Sequence, residues 1–352
     1  MLWDLFCRVV DNLGDLGVCW RLAADLAARG EQLRLWVDDA SALVWMAPHG
    51  VPGVEVRAWA DAERPGAVAG DVVVEAFGCD PPAGFVARMA AMHPAPCWIN
   101  LEYLSAEAYV ERCHGLRSPQ AGGPGAGLNK WFFYPGFTQR TGGLLREPDL
   151  LARRARFDAG GWLAGHGLAP LPGERVVSLF CYDNDALPAF VASMAGPPTL
   201  LLATPGLAAR QLRALCDQRR VPSGVRVTEL PYFTQTDYDH LLWSGELNFV
   251  RGEDSFVRAQ WAGVPFVWQI YPQSDGAHAA KLDAFLDLFL AGAEPGLADD
   301  LRALWRRWNG LGGALRWPDA AAWRRHCENW RTGLASQADL ATQLLGFARE
   351  TR

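Results

Sequence analysis

One stretch of the second half decides the fold, and it reads Arg251-Gly-Glu-Asp-Ser-Phe-Val-Arg-Ala-Gln-Trp-Ala-Gly263-Val-Pro-Phe-Val-Trp268. The pattern predicts a buried strand that ends at Arg251, a glycine turn, a short helix that Gly263 ends, and a following strand. Such a turn directs free backbone N–H groups and the positive end of a helix toward a ligand. The stretch therefore predicts an α/β domain with an anion site that suits a diphosphate.

The same alternation of apolar strands and amphipathic helices extends in both directions from this stretch. It is typical of βαβ units built on parallel sheets. In the first half, Gly30 follows a helical pattern that begins near residues 14–16, and from residue 277 onward the chain is predicted to be almost wholly helical. The predicted strands are residues 2–10, 33–37, 54–59, 71–77, 97–101, 175–182, 199–203, 225–230, 247–250 and 264–268.

Length and composition predict two domains. The chain has 352 residues, which suggests about two domains at roughly 150 residues each. Because residues 158–172 are rich in glycine and proline, we expect a first domain over residues 1–165 and a second over 166–335. A last helix, 336–352, would return to the first domain. Two such α/β domains would form a cleft at the carboxyl ends of their strands.

Charge and hydropathy exclude several classes of partner. The net charge of −6 disfavours a nucleic-acid partner. Residues 186–209 lack charges, but prolines break them into helix, strand and helix, so we expect no membrane span. Charged side chains such as Asp4 and Arg8 interrupt the amino-terminal apolar run, which disfavours a signal peptide. We therefore expect a soluble protein of the cytoplasm.

The cysteines and histidines form no metal-binding motif, and the sequence contains no common nucleotide-binding motif. The eight cysteines and seven histidines show no metal-ligand spacing, and the cysteines are predicted to be reduced, buried thiols. The chain has no Walker A motif, and its first loop is not G-x-G-x-x-G. We therefore expect no cofactor and no metal. A leaving diphosphate would then be neutralised by a helix end and by Arg251, Ser255 and Tyr271.

Polar side chains lie at or just after the ends of several predicted strands, where such a cleft would lie. They are Asp11 and Asp15 in the first loop, Glu75, Glu102 with Tyr103, Tyr182 with Asp183 and Asn184, and residues 251–255. Each acidic residue also has a simpler interpretation as a solvated loop residue or a helix cap. Asp15 could cap the first helix, and Asp254 or Ser255 the helix after Arg251.

These residues, taken together, resemble one family. The segment from Arg251 to Gly-Val-Pro265 resembles nucleotide-sugar transferases of the GT-B type, and five motifs in order are similar to the EarP family over roughly residues 3–290. The motifs are Phe6-Cys-Arg-Val-Val-Asp11-Asn-Leu-Gly-Asp15-Leu-Gly, Trp98-Ile-Asn-Leu-Glu102-Tyr103-Leu-Ser, Trp131-Phe-Phe-Tyr-Pro-Gly-Phe137, Ser178-Leu-Phe-Cys-Tyr182 and the segment Arg251–Gly263.

The resemblance implies a fold and an activity. It implies a GT-B glycosyltransferase, with two Rossmann-like domains facing a central cleft, that is inverting and needs no metal. Such an enzyme moves L-rhamnose from dTDP-β-L-rhamnose to an arginine side chain of translation elongation factor P. The modification activates that factor for rescue of ribosomes stalled at polyproline. The partners implied are thus elongation factor P and the nucleotide sugar.

The resemblance also implies roles for individual residues. The catalytic acids would be Asp11, Asp15 and Glu253. Aromatic residues would flank the thymine, Gln235 would read its edge, and Ser255 and Tyr271 would contact the diphosphate. The full set of implied donor contacts is Asn12, Gly14, Phe180, Tyr182, Gln235, Arg251, Asp254, Ser255 and Tyr271.

The chemistry of an arginine acceptor explains why carboxylates are needed. A guanidinium is protonated at neutral pH, with a pKa above about 12, and is therefore a poor nucleophile. A pair of carboxylates can orient it and accept its proton as the C–N bond forms. We assign Asp15 as the general base and Asp11 as the orienting group. Glu253 would position the sugar or support positive charge at the anomeric carbon.

Two other functions remain open at this point. One is a GT-B transferase or nucleotide-sugar epimerase with a small-molecule or lipid acceptor, although the first half has no obvious Lys/Arg cluster for a lipid headgroup. The other is a nucleotide-sugar sensor without catalysis, in which Asp11 and Asp15 are only structural. Transfer of a sugar to the acceptor protein separates these from the first hypothesis.

Overall fold

The computed structural model describes residues 1–10, 13–273 and 276–351, which form two compact units. The first unit combines Met1–Pro148 with Ser336–Arg352, and the second is Asp149–Ala335. The strands of the first unit are β1 (Leu2–Cys7), β2 (Gln32–Val37), β3 (Val54–Ala58), β4 (Val72–Ala76), β5 (Cys97–Leu101), β6 (Arg117–Pro119) and β7 (Asn129–Phe133). Its α-helices are α1 (Gly14–Ala28), α2 (Leu43–Met46), α3 (Ala83–Ala90) and α4 (Val110–Cys113), and a 3-10 helix spans Trp59–Glu63.

The second unit contains five strands and nine helices in the described part of the chain. The strands are β8 (Arg175–Leu179), β9 (Thr199–Ala203), β10 (Val225–Glu229), β11 (Leu247–Arg251) and β12 (Phe266–Gln269). The helices are α5 (Leu150–Ala155), α6 (Ala159–Gly165), α7 (Leu187–Ser193), α8 (Leu207–Asp217), α9 (Gln235–Ser244), α10 (Asp254–Ala262), α11 (Ala277–Phe289), α12 (Pro295–Trp308) and α13 (Ala320–Ala335). A last helix, α14 (Leu340–Thr351), belongs to the first unit.

The first sheet has the order β3-β2-β1-β4-β5-β7-β6, and all its pairs are parallel except β6 with β7. The sequence predicted its first five strands and missed the last two. β6 has only three residues and lies beside a glycine- and proline-rich segment, so it carries no periodicity. β7 was visible only as the aromatic run that begins at Lys130. The two extra strands extend the sheet beyond β5.

The second sheet, in the order β10-β9-β8-β11-β12, is parallel throughout. All five of its strands were predicted, because strands that are covered on both faces read as short apolar runs. The predicted helix after β11 is also confirmed. Gly263 ends α10 in the left-handed conformation, with φ at +60°.

The predicted domain boundary after residue 165 lies too late in the chain. The structure divides the chain after Pro148, because α6 packs against α9 in the second unit. The glycines of residues 158–172 therefore lie within the second unit.

Hydrogen bonds of Arg29, at the end of α1, hold the last helix against the rest of the first unit. The Arg29 guanidinium donates to both Asp25 oxygens at 3.0 Å, to Asp339 at 2.8 Å and to Thr342 at 2.6 Å. Burial raises the pKa of Asp25, and the Arg29 guanidinium opposes that rise. Apolar residues of α14, such as Leu344, are buried in the same core as β1 and α1.

A buried ion pair joins α9 to α10 in the second unit. Arg258 of α10 donates to Asp239 of α9 from Nε at 2.9 Å and from Nη2 at 2.6 Å, and both side chains are almost fully buried. Two charges taken out of water need this two-point geometry to offset the cost of their desolvation. The pair therefore fixes the two helices against each other.

The helices and the cysteines bear on two further expectations, which concern membrane crossing and thiol burial. No helix in the described ranges combines the length and the apolar character that a bilayer crossing requires. All eight cysteines lie in described residues and are free thiols, and five of them are buried. The expectation that all would be buried is wrong for three of them. Cys79 and Cys113 are only half-buried, and Cys216 is exposed because α8 turns one face to solvent.

The ion pair between α9 and α10 generates a stability prediction. Replacing Asp239 with Asn leaves the Arg258 guanidinium buried without its counter-charge, so we expect a loss of about 3 kcal/mol in the free energy of unfolding. The matched control is Glu229→Gln, which removes the exposed partner of Arg213 and should leave the free energy of unfolding nearly unchanged. Urea denaturation followed by far-UV circular dichroism measures both. Equal losses in the two variants would contradict the assigned role of the buried pair.

Candidate active site

The centre of the candidate site in the second unit is the Arg251 guanidinium. It lies over the rings of Phe180 and Tyr182, with its central carbon 4.5 Å and 4.2 Å from the two ring centroids. Arg251 is only 9% exposed. β8 and β11 are neighbours in the sheet, so the residues that follow β8 lie beside the last residue of β11. The sheet order therefore brings together three residues that the sequence had assigned to the donor.

Tyr271 joins this group from the next strand. Its ring lies 5.4 Å from that of Tyr182 at an interplanar angle of 85°, and the residue is 45% exposed. It follows β12, which pairs with β11. Aromatic rings arranged edge to face, with a cation on one of them, form a preorganised polar and apolar surface. This surface can receive a flat base or an anionic group.

Ser255 has a structural role that the sequence did not reveal. Its hydroxyl accepts a hydrogen bond from the Arg251 N–H at 3.0 Å and donates one to the Arg251 carbonyl. Gly252 makes the turn between them with φ at +61°, and the Trp268 indole donates to its carbonyl at 2.7 Å. The Ser255 side chain therefore bonds to β11 rather than capping α10. Its predicted contact with a diphosphate stays a prediction.

Two more of the predicted donor residues, Gln235 and Asp254, lie at helix amino termini in the second unit. Gln235 is the first residue of α9, directly after Thr234, whose hydroxyl accepts from the Asp237 N–H at 3.0 Å. Asp254 is the first residue of α10, and Glu253 holds the N-cap position without a side-chain capping bond. Because α9 packs on α10, these two positive helix ends belong to one packed pair. The roles assigned to the three side chains remain predictions.

Tyr238 is a residue of this site that the sequence analysis missed. Its ring lies 5.9 Å from that of Phe180 at 70°. Burial raises the pKa of its phenol, an effect that the nearby Ser255 hydroxyl counteracts. Tyr238 follows Gln235 by three residues, so helical spacing was the one signal that could have placed it near the site.

In the first unit, Asp15 is 3% exposed and lies in the first turn of α1. Its Oδ2 accepts a hydrogen bond from the Val10 N–H at 2.8 Å, and Gly14 is the first residue of the helix. Asp15 does not occupy the N-cap position, which is Leu13, so the simple capping interpretation is wrong. Asp11 and Asn12 lie outside the described residues.

Glu75 is a core carboxylate rather than an open polar group at the strand end. Its oxygens accept from Lys130 Nζ at 2.6 Å and from the Trp98 indole at 3.1 Å. Burial raises the pKa of Glu75, and the lysine opposes that rise. The ion pair of Glu75 with Lys130 therefore links side chains of β4 and β7 across the intervening strand β5.

The first unit also has a surface pocket of about 330 Å³ next to the β1–α1 turn. Tyr103 stacks on Phe77 at 4.3 Å along one side of it, and Val10 on another side is 71% exposed. Phe77 adopts a positive φ of +59°, a conformation that is strained for a bulky residue. Glu102, the neighbour of Tyr103, accepts from the Asn100 amide at 2.8 Å.

No metal centre is visible in the ranges that the structure describes, where no group of three or more His, Cys, Asp or Glu residues is placed to hold an ion. The second unit contains two D-x-D sequences, a pattern that can hold a metal ion, at Asp183-Asn184-Asp185 and Asp237-Tyr238-Asp239. In the second of these, Asp239 is bound by Arg258 and Asp237 accepts from Thr234. The prediction that the reaction needs no metal stays a prediction.

Known proteins resemble this chain along nearly its whole length. The family described as elongation-factor P (EF-P) rhamnosyltransferase EarP matches residues 3–349. A protein-arginine rhamnosyltransferase of Pseudomonas aeruginosa is 45% identical, with 98% of each chain covered. One of Neisseria meningitidis is 36% identical, with 94% of this chain and 90% of the relative covered.

Solved structures of glycosyltransferases also resemble this chain. A structure from work on EarP-mediated arginine glycosylation of translation elongation factor EF-P has a TM-score of 0.68 at 33% identity, and covers 100% of this chain and 99% of its own. The spinosyn rhamnosyltransferase SpnG, at 13% identity, has a TM-score of 0.54 over 98% of this chain and 99% of its own. The latter likeness shows the fold, and the predicted GT-B fold class is confirmed. The chain therefore belongs to the EarP family of elongation-factor P rhamnosyltransferases.

Proposed function

We propose that this protein transfers L-rhamnose from dTDP-β-L-rhamnose to a guanidinium nitrogen of one arginine in elongation factor P. Family membership supports the reaction. The observation that carries the donor half is the Arg251 guanidinium held over Phe180 and Tyr182 at the ends of neighbouring strands. This arrangement offers a fixed cation and aromatic faces to a nucleoside diphosphate, in the part of a parallel sheet where ligands bind.

The donor is held through its base and its two phosphates. The thymine packs against the aromatic residues, with Gln235 at its edge. Arg251 and the amino termini of α9 and α10 face the diphosphate, because cations and positive helix ends stabilise anions. Ser255 contributes by fixing the backbone of Arg251, and Tyr271 supplies an exposed hydroxyl. No metal is part of this proposal.

The transfer is a single displacement with inversion at the anomeric carbon. A guanidinium nitrogen forms a bond to C1 of the sugar while the bond from C1 to the diphosphate oxygen breaks. Both bonding electrons leave with dTDP, whose negative charge Arg251 and the helix ends stabilise. The proton of the attacking nitrogen passes to a carboxylate. Glu253 positions the sugar as positive charge develops at C1.

The acceptor arginine is activated by the acids of the β1–α1 turn. Asp15 acts as the general base, and the Val10 N–H fixes the orientation of its carboxylate. Asp11 orients the guanidinium by charge-assisted hydrogen bonds. The reaction takes place in the cytoplasm, and the modified factor serves in rescue of ribosomes stalled at polyproline.

The test of the function is the mass of the acceptor protein. The wild-type chain is incubated with dTDP-β-L-rhamnose and elongation factor P, and the factor is weighed and fragmented by mass spectrometry. We expect a gain of one deoxyhexose on a single arginine. Donor binding without any gain would identify a sensor instead. Donor turnover only with a lipid or small molecule present would identify a different transferase.

The general base generates a second prediction. Asp15→Asn keeps an oxygen that can accept from the Val10 N–H but can no longer take a proton, so transfer should fall by about 100-fold or more. The affinity for dTDP, measured by calorimetry, should stay within about 2-fold because Asp15 does not contact the donor.

The matched control for that variant is Asp38→Asn. Asp38 accepts from the neighbouring Val9 N–H at 3.0 Å, so it also supports the β1–α1 turn through a backbone hydrogen bond. We expect nearly wild-type transfer from this control. Turnover that persists in Asp15→Asn, or that is lost equally in the control, would refute the assignment of the base.

The position of the Arg251 guanidinium over two aromatic rings generates a third prediction. Arg251→Lys keeps the charge but loses the planar group that covers two rings, so KM for the nucleotide sugar should rise about 10-fold. Arg226→Lys, which alters a partly exposed partner of Glu174, is the control and should leave KM unchanged. Steady-state kinetics at saturating elongation factor P measures both. An unchanged KM in Arg251→Lys would place the donor elsewhere.

A further inference from the structure

Gln269, the last residue of β12, bonds to three segments of the candidate donor site. Its side-chain oxygen accepts from the Tyr182 N–H at 2.8 Å, and its side-chain nitrogen donates to the Asp183 carbonyl at 3.2 Å. Its own backbone carbonyl accepts from the Gly252 N–H at 3.3 Å. The residue is 7% exposed. The side-chain amide therefore holds the turn after β8, and the backbone carbonyl of the same residue holds the turn after β11.

These bonds control the part of the backbone that carries the ring of Tyr182. That ring lies 4.2 Å from the Arg251 guanidinium and 5.4 Å from the ring of Tyr271. Tyr271 follows Gln269 by two residues, and Arg251 directly precedes Gly252. A shift at Gln269 would therefore displace the aromatic surface and the cation relative to each other.

A second glutamine holds the same turn from its other side. Gln211 of α8 donates to the Tyr182 carbonyl at 3.0 Å and accepts from the Asn184 N–H at 2.9 Å. Its side-chain nitrogen also lies near the Cys181 sulfur and donates to the Leu207 carbonyl of its own helix. Gln269 differs in its position, because it lies on β12, whose backbone carbonyl at this residue also accepts from the Gly252 N–H.

We infer that Gln269 is a positioning residue for the nucleotide donor, which it serves by fixing the ring of Tyr182 against Arg251. The inference rests on the proposed function, since it assumes that these residues bind the donor. It assigns Gln269 no contact with the substrate. Its effect should therefore appear in the affinity for the nucleotide and not in the affinity for the protein acceptor.

The chemistry of the side chain explains why a neutral amide is needed at this position. An amide supplies one acceptor for the Tyr182 N–H and one donor for the Asp183 carbonyl. A carboxylate could accept from Tyr182 but would face the Asp183 carbonyl without a proton. It would also bring a negative charge toward a site that binds a diphosphate. A thioether of similar length would make neither bond.

The experiment compares Gln269→Met with Gln269→Glu in the full chain. Both variants should raise the Kd for dTDP and the KM for dTDP-β-L-rhamnose by about 10-fold or more, because the buried N–H or carbonyl of the turn loses its partner. KM for elongation factor P should stay within about 2-fold of the wild-type value. Gln269→Glu retains one of the two bonds, which keeps the test decisive if Gln269→Met does not fold.

The matched control is Gln260→Met, which removes another buried glutamine from the same unit. Gln260 accepts from the Trp330 indole at 2.8 Å and donates to the Phe256 carbonyl at 3.4 Å. Its loss should lower the melting temperature but leave the KM for the nucleotide sugar unchanged. The inference would be overturned if both Gln269 variants kept the donor KM and the dTDP Kd of the wild type or of Gln260→Met.

Failure of the inference can be told apart from failure of the proposed function. If the wild-type chain binds dTDP and glycosylates the factor while the Gln269 variants behave like it, only the positioning role is wrong. If the wild-type chain neither binds dTDP nor transfers rhamnose, the proposed function is wrong and the inference falls with it.

Discussion

The second unit depends on the buried ion pair between Arg258 and Asp239. Both charges are desolvated, and the two-point contact between them offsets much of that cost. The pair ties α9 to α10 a few residues from their amino termini. Those termini carry Gln235 and Asp254, so a structural ion pair in the core determines how two positive helix ends are presented.

The order of strands in the second sheet completes the arrangement. β8, β11 and β12 are adjacent and parallel, so the residues after their carboxyl ends meet at one edge of the sheet. Arg251 is placed there over two aromatic rings. The rings shield the guanidinium from water without neutralising it, which keeps its charge available for an anion. Hydrogen bonds from Ser255 and Gln269 then fix the turns on which these side chains stand.

Sequence patterns were sufficient for the fold and for the neighbourhood of the site. Strands that are covered on both faces read as apolar runs, and polar residues after parallel strands must gather at one edge. The patterns failed where structure is short or pairing is distant. β6 has three residues and no periodicity. The bond of Lys130 to Glu75 joins residues far apart in the chain, as do the bonds of Gln269 to the turn after β8. No local pattern encodes such partners.

The domain boundary was misplaced for a related reason, since glycine content reports chain flexibility and not the packing of α6 on α9.

The central claim is that the end of β11 and its neighbouring strands bind the nucleotide. A crystal structure of the chain with dTDP bound is the most direct measurement. The proposed site predicts the diphosphate within hydrogen-bonding distance of the Arg251 guanidinium and the thymine against Phe180 or Tyr182. A nucleotide that occupies any other surface, with Arg251 still making no contact to phosphate, would contradict the claim.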